Sequence, residues 1–173
     1  MRIEIREKLA GPILDIGGGG ECVIGQIYGK QVIAIDHSRE ELDEAPDCCE
    51  KRVMDAEKLV FPDQSFDNVT FFYSLMYMTG DTQKKAIQEA LRVLRPGGRM
   101  LIWDSDIYSA YPEPYIVDLD IVSERVNIHT TYGVVKNETQ DQKTILGYLE
   151  ETGQHTFRVS GADGQFCICC IKM

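Results

Sequence analysis

At 173 residues, 43% of them hydrophobic and 27% charged, the chain has the size and composition of one globular domain with a core of its own. Eighteen basic against 28 acidic residues leave a net charge of −10, which repels polyphosphate backbones, argues against nucleic acid as a partner and suits a small cationic ligand. No apolar run reaches membrane-spanning length, and the opening "MRIEIREKLAG" lacks a signal-peptide core, so a cytoplasmic protein with no membrane association is expected.

Short β-rich runs alternate with helical patterns, which argues for an α/β fold with a mostly parallel sheet. "PILDIG" reads as a first strand buried on both faces, followed by Gly17 to Gly20 and a short helix across "ECVIGQIYG". The second strand is "QVIAID", Gln31 to Asp36, and "KRVMD" ends a third at Asp55. "SFDNVTFFYS" is a fourth, rich in β-branched and aromatic residues. A helix with Asp81 as expected N-cap follows, with Ala86, Ile87, Ala90, Leu91 and Leu94 on one apolar face. "RPGG" ends it, and "RMLIWD" forms a fifth strand up to Asp104.

From Ser105 to Ser123 the tyrosines, prolines and acids read as a loop or cap element. "VNIHTTYGVV" alternates Val126, Ile128, Thr130, Tyr132 and Val134 on one face, as a half-buried strand does. A helix from about Asp141 to Thr152 and an antiparallel hairpin over the tail complete the chain. The organisation is one domain, with a ligand-binding half over 1–104, a candidate cap over 105–135, and a C-terminal helix and hairpin over 136–173.

Six cysteines stand at 22, 48, 49, 167, 169 and 170. No spacing is a C-x-x-C with a matching second pair, so buried or half-buried free thiols and no metal are expected. In "FCICC", Cys167 and Cys169 share one face of a strand and Cys170 the other, so the three do not converge.

Ligands of open α/β sheets bind at the carboxyl ends of the strands. Here those ends carry the glycine loop and, nineteen residues after Gly17, Asp36, an acid placed to accept from ribose hydroxyls. A dinucleotide fingerprint needs a third glycine where Cys22 stands, and Glu21 at the helix start repels a pyrophosphate. No G-K-[ST] follows the glycines, so a Walker loop is excluded. The pattern calls for a nucleoside without phosphates.

"LDIGGGGE", "AIDHS", "MDAEKLVFPDQSFDNVT" and "LRVLRPGGRMLIWD", in this order over Ile13 to Asp104, resemble the blocks of the class I S-adenosylmethionine-dependent methyltransferase family. Within it the chain is similar to the small-molecule, quinone-biosynthesis group. The resemblance implies a Rossmann-like, doubly wound, mostly parallel seven-stranded sheet with an antiparallel C-terminal hairpin. It implies S-adenosyl-L-methionine as cofactor, S-adenosyl-L-homocysteine as product and a small-molecule acceptor. By position, Gly17, Gly18 and Gly19 lie against the methionine part, and Asp15 holds its amino group. Asp36 takes the ribose with His37 at the adenine face, Asp55 and Ala56 take the adenine, and Phe72 and Tyr73 line the cavity beside the sulfonium.

The family often carries another glycine at the place of Glu21, and many members have covering helices where this chain has about ten residues before its first strand. The cover is expected from Ser105 to Tyr132, or from a second copy in a homo-oligomer. Methyl transfer demands no particular side chain, and no catalytic residue is assigned. Asp104 and Tyr108 are placed for substrate contact; Tyr77 is read first as a core aromatic and second as a substrate contact; His129 is expected to be exposed. "FYSLMY" after the fourth strand lacks the [ND]-P-P-[YF] element of amino-methylating nucleic-acid enzymes. Two other readings are a non-catalytic domain that binds the cofactor or its demethylated product, and a dinucleotide oxidoreductase, which Glu21 and Cys22 disfavour.

Overall fold

The computed structural model describes residues 1–108, 111–153 and 155–173. β1 (Arg2–Glu4) precedes β2 (Ile13–Ile16), a fully buried strand that leads through the glycine loop into α1 (Val23–Tyr28). β3 (Val32–Asp36), α2 (Arg39–Glu44) and β4 (Glu50–Val53) follow, then β5 (Phe66–Phe72), α3 (Gly80–Val93) and β6 (Leu94–Ser105). β7 (Tyr115–Val122), β8 (Asn127–Val134), α4 (Gln142–Glu151), β9 (His155–Ala162) and β10 (Gln165–Lys172) complete the chain.

The main sheet has the order β4-β3-β2-β5-β6-β10-β9, parallel from β4 to β6 and antiparallel over β10 and β9. This is the doubly wound, seven-stranded sheet with an antiparallel C-terminal hairpin that the resemblance implies. The order reverses between β2 and β5, so a crevice opens at their carboxyl ends. α3 and α4 bury Ala86, Ile87, Ala90, Leu91, Ile145 and Leu149 on one face of the sheet. Val23, Ile24 and Ile27 of α1 pack on the other face, together with Val117, Leu119 and Ile121 of β7.

Several elements differ from expectation. The segment read as loop or cap contains β7, which pairs antiparallel with β8 and parallel with β1 in a second, three-stranded sheet. In β7, Val117, Leu119 and Ile121 are buried and the acids between them exposed, so the alternation is real, although acids and prolines around it obscure it. The six-residue α2, which the sequence reading does not place, follows β3; Ser38 caps it by accepting from Glu41 N at 3.2 Å. α3 is capped by Thr79, whose hydroxyl accepts from Thr82 N, and Asp81 sits inside the first turn instead. There the acid faces the helix dipole favourably without capping it. Among the described residues, no helix is long and apolar enough to cross a membrane.

Candidate functional site

β2 ends at Ile16, and the chain turns sharply at Gly17, whose φ is +75°. A Cβ there would lie 2.4 Å from Ser74 Cβ, so only glycine fits. Gly17 N and Gly18 N both donate to Ile35 O, at 2.8 and 3.0 Å, which ties the loop to β3. Gly19 N donates to Asp36 Oδ2 at 3.3 Å, and a Cβ on Gly19 would meet that oxygen at 2.8 Å. Asp36 closes β3, and its Oδ1 accepts from Ser38 N at 2.9 Å. Its carboxylate is therefore fixed by backbone N–H groups at the crevice edge. His37 beside it is largely exposed, with Nδ1 3.2 Å from Asp36 Oδ1.

Asp15 lies at the end of β2 and is buried, with Thr70 Oγ1 donating to its Oδ1 at 2.6 Å. Burial pushes its carboxyl up to about 7; the Thr70 hydrogen bond opposes the shift, while Cys49 and Asp36 add to it. At the end of β5, Tyr73 has a φ of 50°, an uncommon conformation for a bulky residue. It is fixed by a donated hydrogen bond to Gln165 Oε1 at 2.5 Å and by stacking on Tyr132, centroids 5.7 Å apart. Ser74 Oγ donates to Ile16 O at 2.7 Å and joins the ends of β5 and β2.

Two compartments meet here and share Gly17, Asp36, His37, Tyr77 and Met78. The smaller, about 410 Å³, is walled by Ile16, Ile35, Met54 and Ala56, with Asp55 at its rim accepting from Glu57 N at 2.8 Å. The larger, about 510 Å³, runs over the glycine loop to Phe72, Tyr73 and Tyr132. All ten residues that the resemblance assigns to the cofactor line one compartment or the other. Five carboxylates (Asp15, Glu21, Asp36, Glu41 and Glu44) and no Lys or Arg line the larger one. Such a wall repels phosphates and attracts a cation.

The three residues expected at the substrate fare differently. Tyr77 is not a core aromatic: it sits in a short 3₁₀ turn (Leu75–Tyr77), is half exposed and lines both compartments. Asp104, next to last in β6, is fully buried and lines neither compartment. It accepts from Ser105 N and Gln140 Nε2, both at 2.8 Å, and from Met76 N at 3.2 Å, so it braces the chain behind the site. Burial pushes it up to about 7 against those three hydrogen bonds. Tyr108 is exposed and lines neither compartment, because the chain has by then left the sheet edge. His129 lies on the outer face of β8, where hydrogen bonding to Asp120 and the charge of Asp118 raise its pKa.

β8 lies within the stretch expected to supply the cover, but sequence reasoning assigns none of its residues to the site. Thr131, Tyr132 and Gly133 line the larger compartment, and Thr130 Oγ1 donates to Glu21 Oε1 at 2.7 Å. Glu21 thus latches the glycine loop to the second sheet. The inward alternation of Thr130 and Tyr132 signals a buried face, but no motif singles out which of its residues meet the site. Met78 and Thr82 in the smaller compartment also carry no motif.

The chain is 32% identical over 140 residues to an uncharacterised methyltransferase of Schizosaccharomyces pombe, covering 69% of this chain and 50% of that one. It is 34% identical over 110 residues to a ubiquinone/menaquinone biosynthesis C-methyltransferase of Proteus mirabilis, covering 57% and 42%. The chain thus spans about half or less of the length of these relatives. An S-adenosylmethionine-dependent methyltransferase of Methanosarcina mazei shares the fold with a TM-score of 0.62 and 19% identity, over 95% of this chain and 94% of that one. A protein of Pyrococcus horikoshii does so with a TM-score of 0.67 and 17% identity, over 94% and 83%. Residues 14–102 match the family described as Methyltransferase domain. The chain belongs to this methyltransferase domain family.

Proposed function

We propose that the chain binds S-adenosylmethionine across the two compartments and transfers its methyl group to a small-molecule acceptor. The observation that carries the reading is the wall of five carboxylates, with no Lys or Arg among its described residues, around a glycine loop. A dinucleotide or nucleoside triphosphate would meet repulsion there, whereas a phosphate-free nucleoside with a cationic tail meets attraction.

In this reading Asp36, held by Gly19 N and Ser38 N, accepts from the ribose hydroxyls. Asp55 and the backbone of Ala56 receive the adenine between Ile35 and Met54, with His37 at its face. Gly17, Gly18 and Gly19 let the methionine portion approach the backbone, and Asp15 holds its ammonium group. The cofactor supplies a methyl group on a positively charged sulfonium with a good, neutral leaving group. What the chain contributes is alignment and dryness. Phe72, Tyr73 and Tyr132 wall the place where an acceptor would lie, and orientation of two bound reactants is worth about 7–11 kcal/mol. Tyr73, stacked on Tyr132 and hydrogen-bonded to Gln165, holds that wall rigidly. Tyr77, at the exposed edge, is the residue best placed to meet the acceptor as it enters. We take the cover to be β7 and β8 of the same chain rather than a second copy.

The test is transfer of an isotopically labelled methyl group from S-adenosylmethionine to a panel of small quinols, phenols and amines. Formation of a labelled product with stoichiometric S-adenosylhomocysteine supports the proposal. Tight cofactor binding without transfer to any acceptor would instead favour a non-catalytic cofactor-binding domain.

A further inference from the structure

Cysteines that are scattered in the sequence meet beside the glycine loop. Cys22 precedes α1 directly, and Cys48 and Cys49 lead into β4. The Sγ of Cys22 is 3.4 Å from that of Cys49 and 3.8 Å from that of Cys48, and all three sulfurs lie within 4.8 Å of one another. Three thiolates bound to one ion at the usual zinc–sulfur length of about 2.3 Å stand roughly 3.8 Å apart at tetrahedral angles. The two separations from Cys22, 3.4 and 3.8 Å, are already close to that spacing.

The sulfurs also aim at a common place. A Cβ on Gly25, in the first turn of α1, would lie 2.5, 2.7 and 3.0 Å from the Sγ of Cys22, Cys49 and Cys48. Glycine there keeps clear the ground on which the thiols converge. All three are free thiols. Cys22 is buried, while Cys48 and Cys49 are partly exposed, so an ion reaches the trio from the surface side. Asp47 and Glu50 flank the pair in sequence, and the nearby Lys51 ammonium is engaged by Ala45 O at 2.8 Å. No motif announces the arrangement, because the third ligand comes from 26 residues away.

We propose that Cys22, Cys48 and Cys49 form a three-thiolate site for a soft divalent cation of the zinc class, with a fourth position left for water. Binding exchanges three S–H bonds for three sulfur–metal bonds and releases up to three protons, with no change in oxidation state. Since Cys22 adjoins the glycine loop, the bound ion would staple that loop to the segment entering β4.

The full chain, reduced with a phosphine, stripped with a chelator and dialysed against Zn²⁺ alone, should retain one equivalent by elemental analysis. Cys22→Ser and Cys49→Ser should lose it, and Cys167→Ser should keep it. Because Cys22 is buried, its variant is checked by circular dichroism, and a second measurement needs no variant. Titration of the unaltered protein with Cd²⁺ should saturate the thiolate-to-metal absorption band at one equivalent and protect Cys22, Cys48 and Cys49 together from alkylation. Absence of retained zinc, unchanged retention in folded Cys22→Ser, or protection of only two of the three cysteines would overturn the proposal.

Discussion

Asp15 is a carboxyl group held where ionisation is costly, and replacing it with asparagine shows how much. Its native pKa of about 7 exceeds the ordinary 3.8, so between those values the folded chain holds a proton that the unfolded chain has released. The sign follows: this group's contribution falls as pH rises from about 4 to 7 and stays low above that. At 1.36 kcal/mol per pKa unit, the gap corresponds to about 4 kcal/mol. The amide side chain introduced by Asp15→Asn keeps an oxygen to accept from Thr70 Oγ1 and carries no charge. Asp15→Asn is therefore expected to be more stable than the parent at pH 8 by up to about 4 kcal/mol, and by little near pH 4. Urea unfolding followed by circular dichroism, with a chelator present, at pH 5, 6, 7 and 8 measures this. The stability difference between the two proteins should grow with pH at a slope approaching 1.4 kcal/mol per pH unit below pH 7. A difference independent of pH, or a variant less stable at pH 8, would refute the reasoning. The same variant should bind S-adenosylmethionine more weakly, which is why so costly a carboxyl group would be kept.

The affinity for S-adenosylmethionine should rise with pH up to about 7, as Asp15 ionises, and calorimetry should find that dependence flattened in Asp15→Asn. Asp36→Ala should weaken cofactor binding about 10- to 100-fold, as expected when a charged hydrogen-bond acceptor worth roughly 1.5–3 kcal/mol is lost; unchanged affinity would remove Asp36 from the site. Ile87→Ala, fully buried between α3 and the sheet, should cost about 2–5 kcal/mol in urea unfolding and leave the cofactor affinity of the folded protein unchanged.

The parts of the site that depend on strand ends were legible in the sequence. A buried strand followed by Gly17 to Gly20, and a second strand ending in an acid, locate the crevice because parallel strands place their carboxyl ends together. Tyr77 and Asp104 were harder, since one residue of register decides whether a side chain faces the cavity or the interior. Asp104 falls on the interior side, where three donors use it, and Tyr77 lies in a turn that the alternation of β5 does not reach. β7 is hard to read from sequence because its three buried apolar positions, Val117, Leu119 and Ile121, are spaced by acids, and prolines precede them. The cysteine trio and the Glu21–Thr130 latch are products of tertiary folding: 26 and 109 residues separate their partners, and no local pattern encodes such meetings.

The most direct test of the nucleoside assignment is calorimetric titration of the purified chain with S-adenosylmethionine, S-adenosylhomocysteine and NAD⁺ under identical conditions. A single-site isotherm for the first two and none for NAD⁺ is expected, since the carboxylate wall favours the cationic tail and rejects a pyrophosphate. Binding of NAD⁺ without binding of S-adenosylmethionine would contradict it.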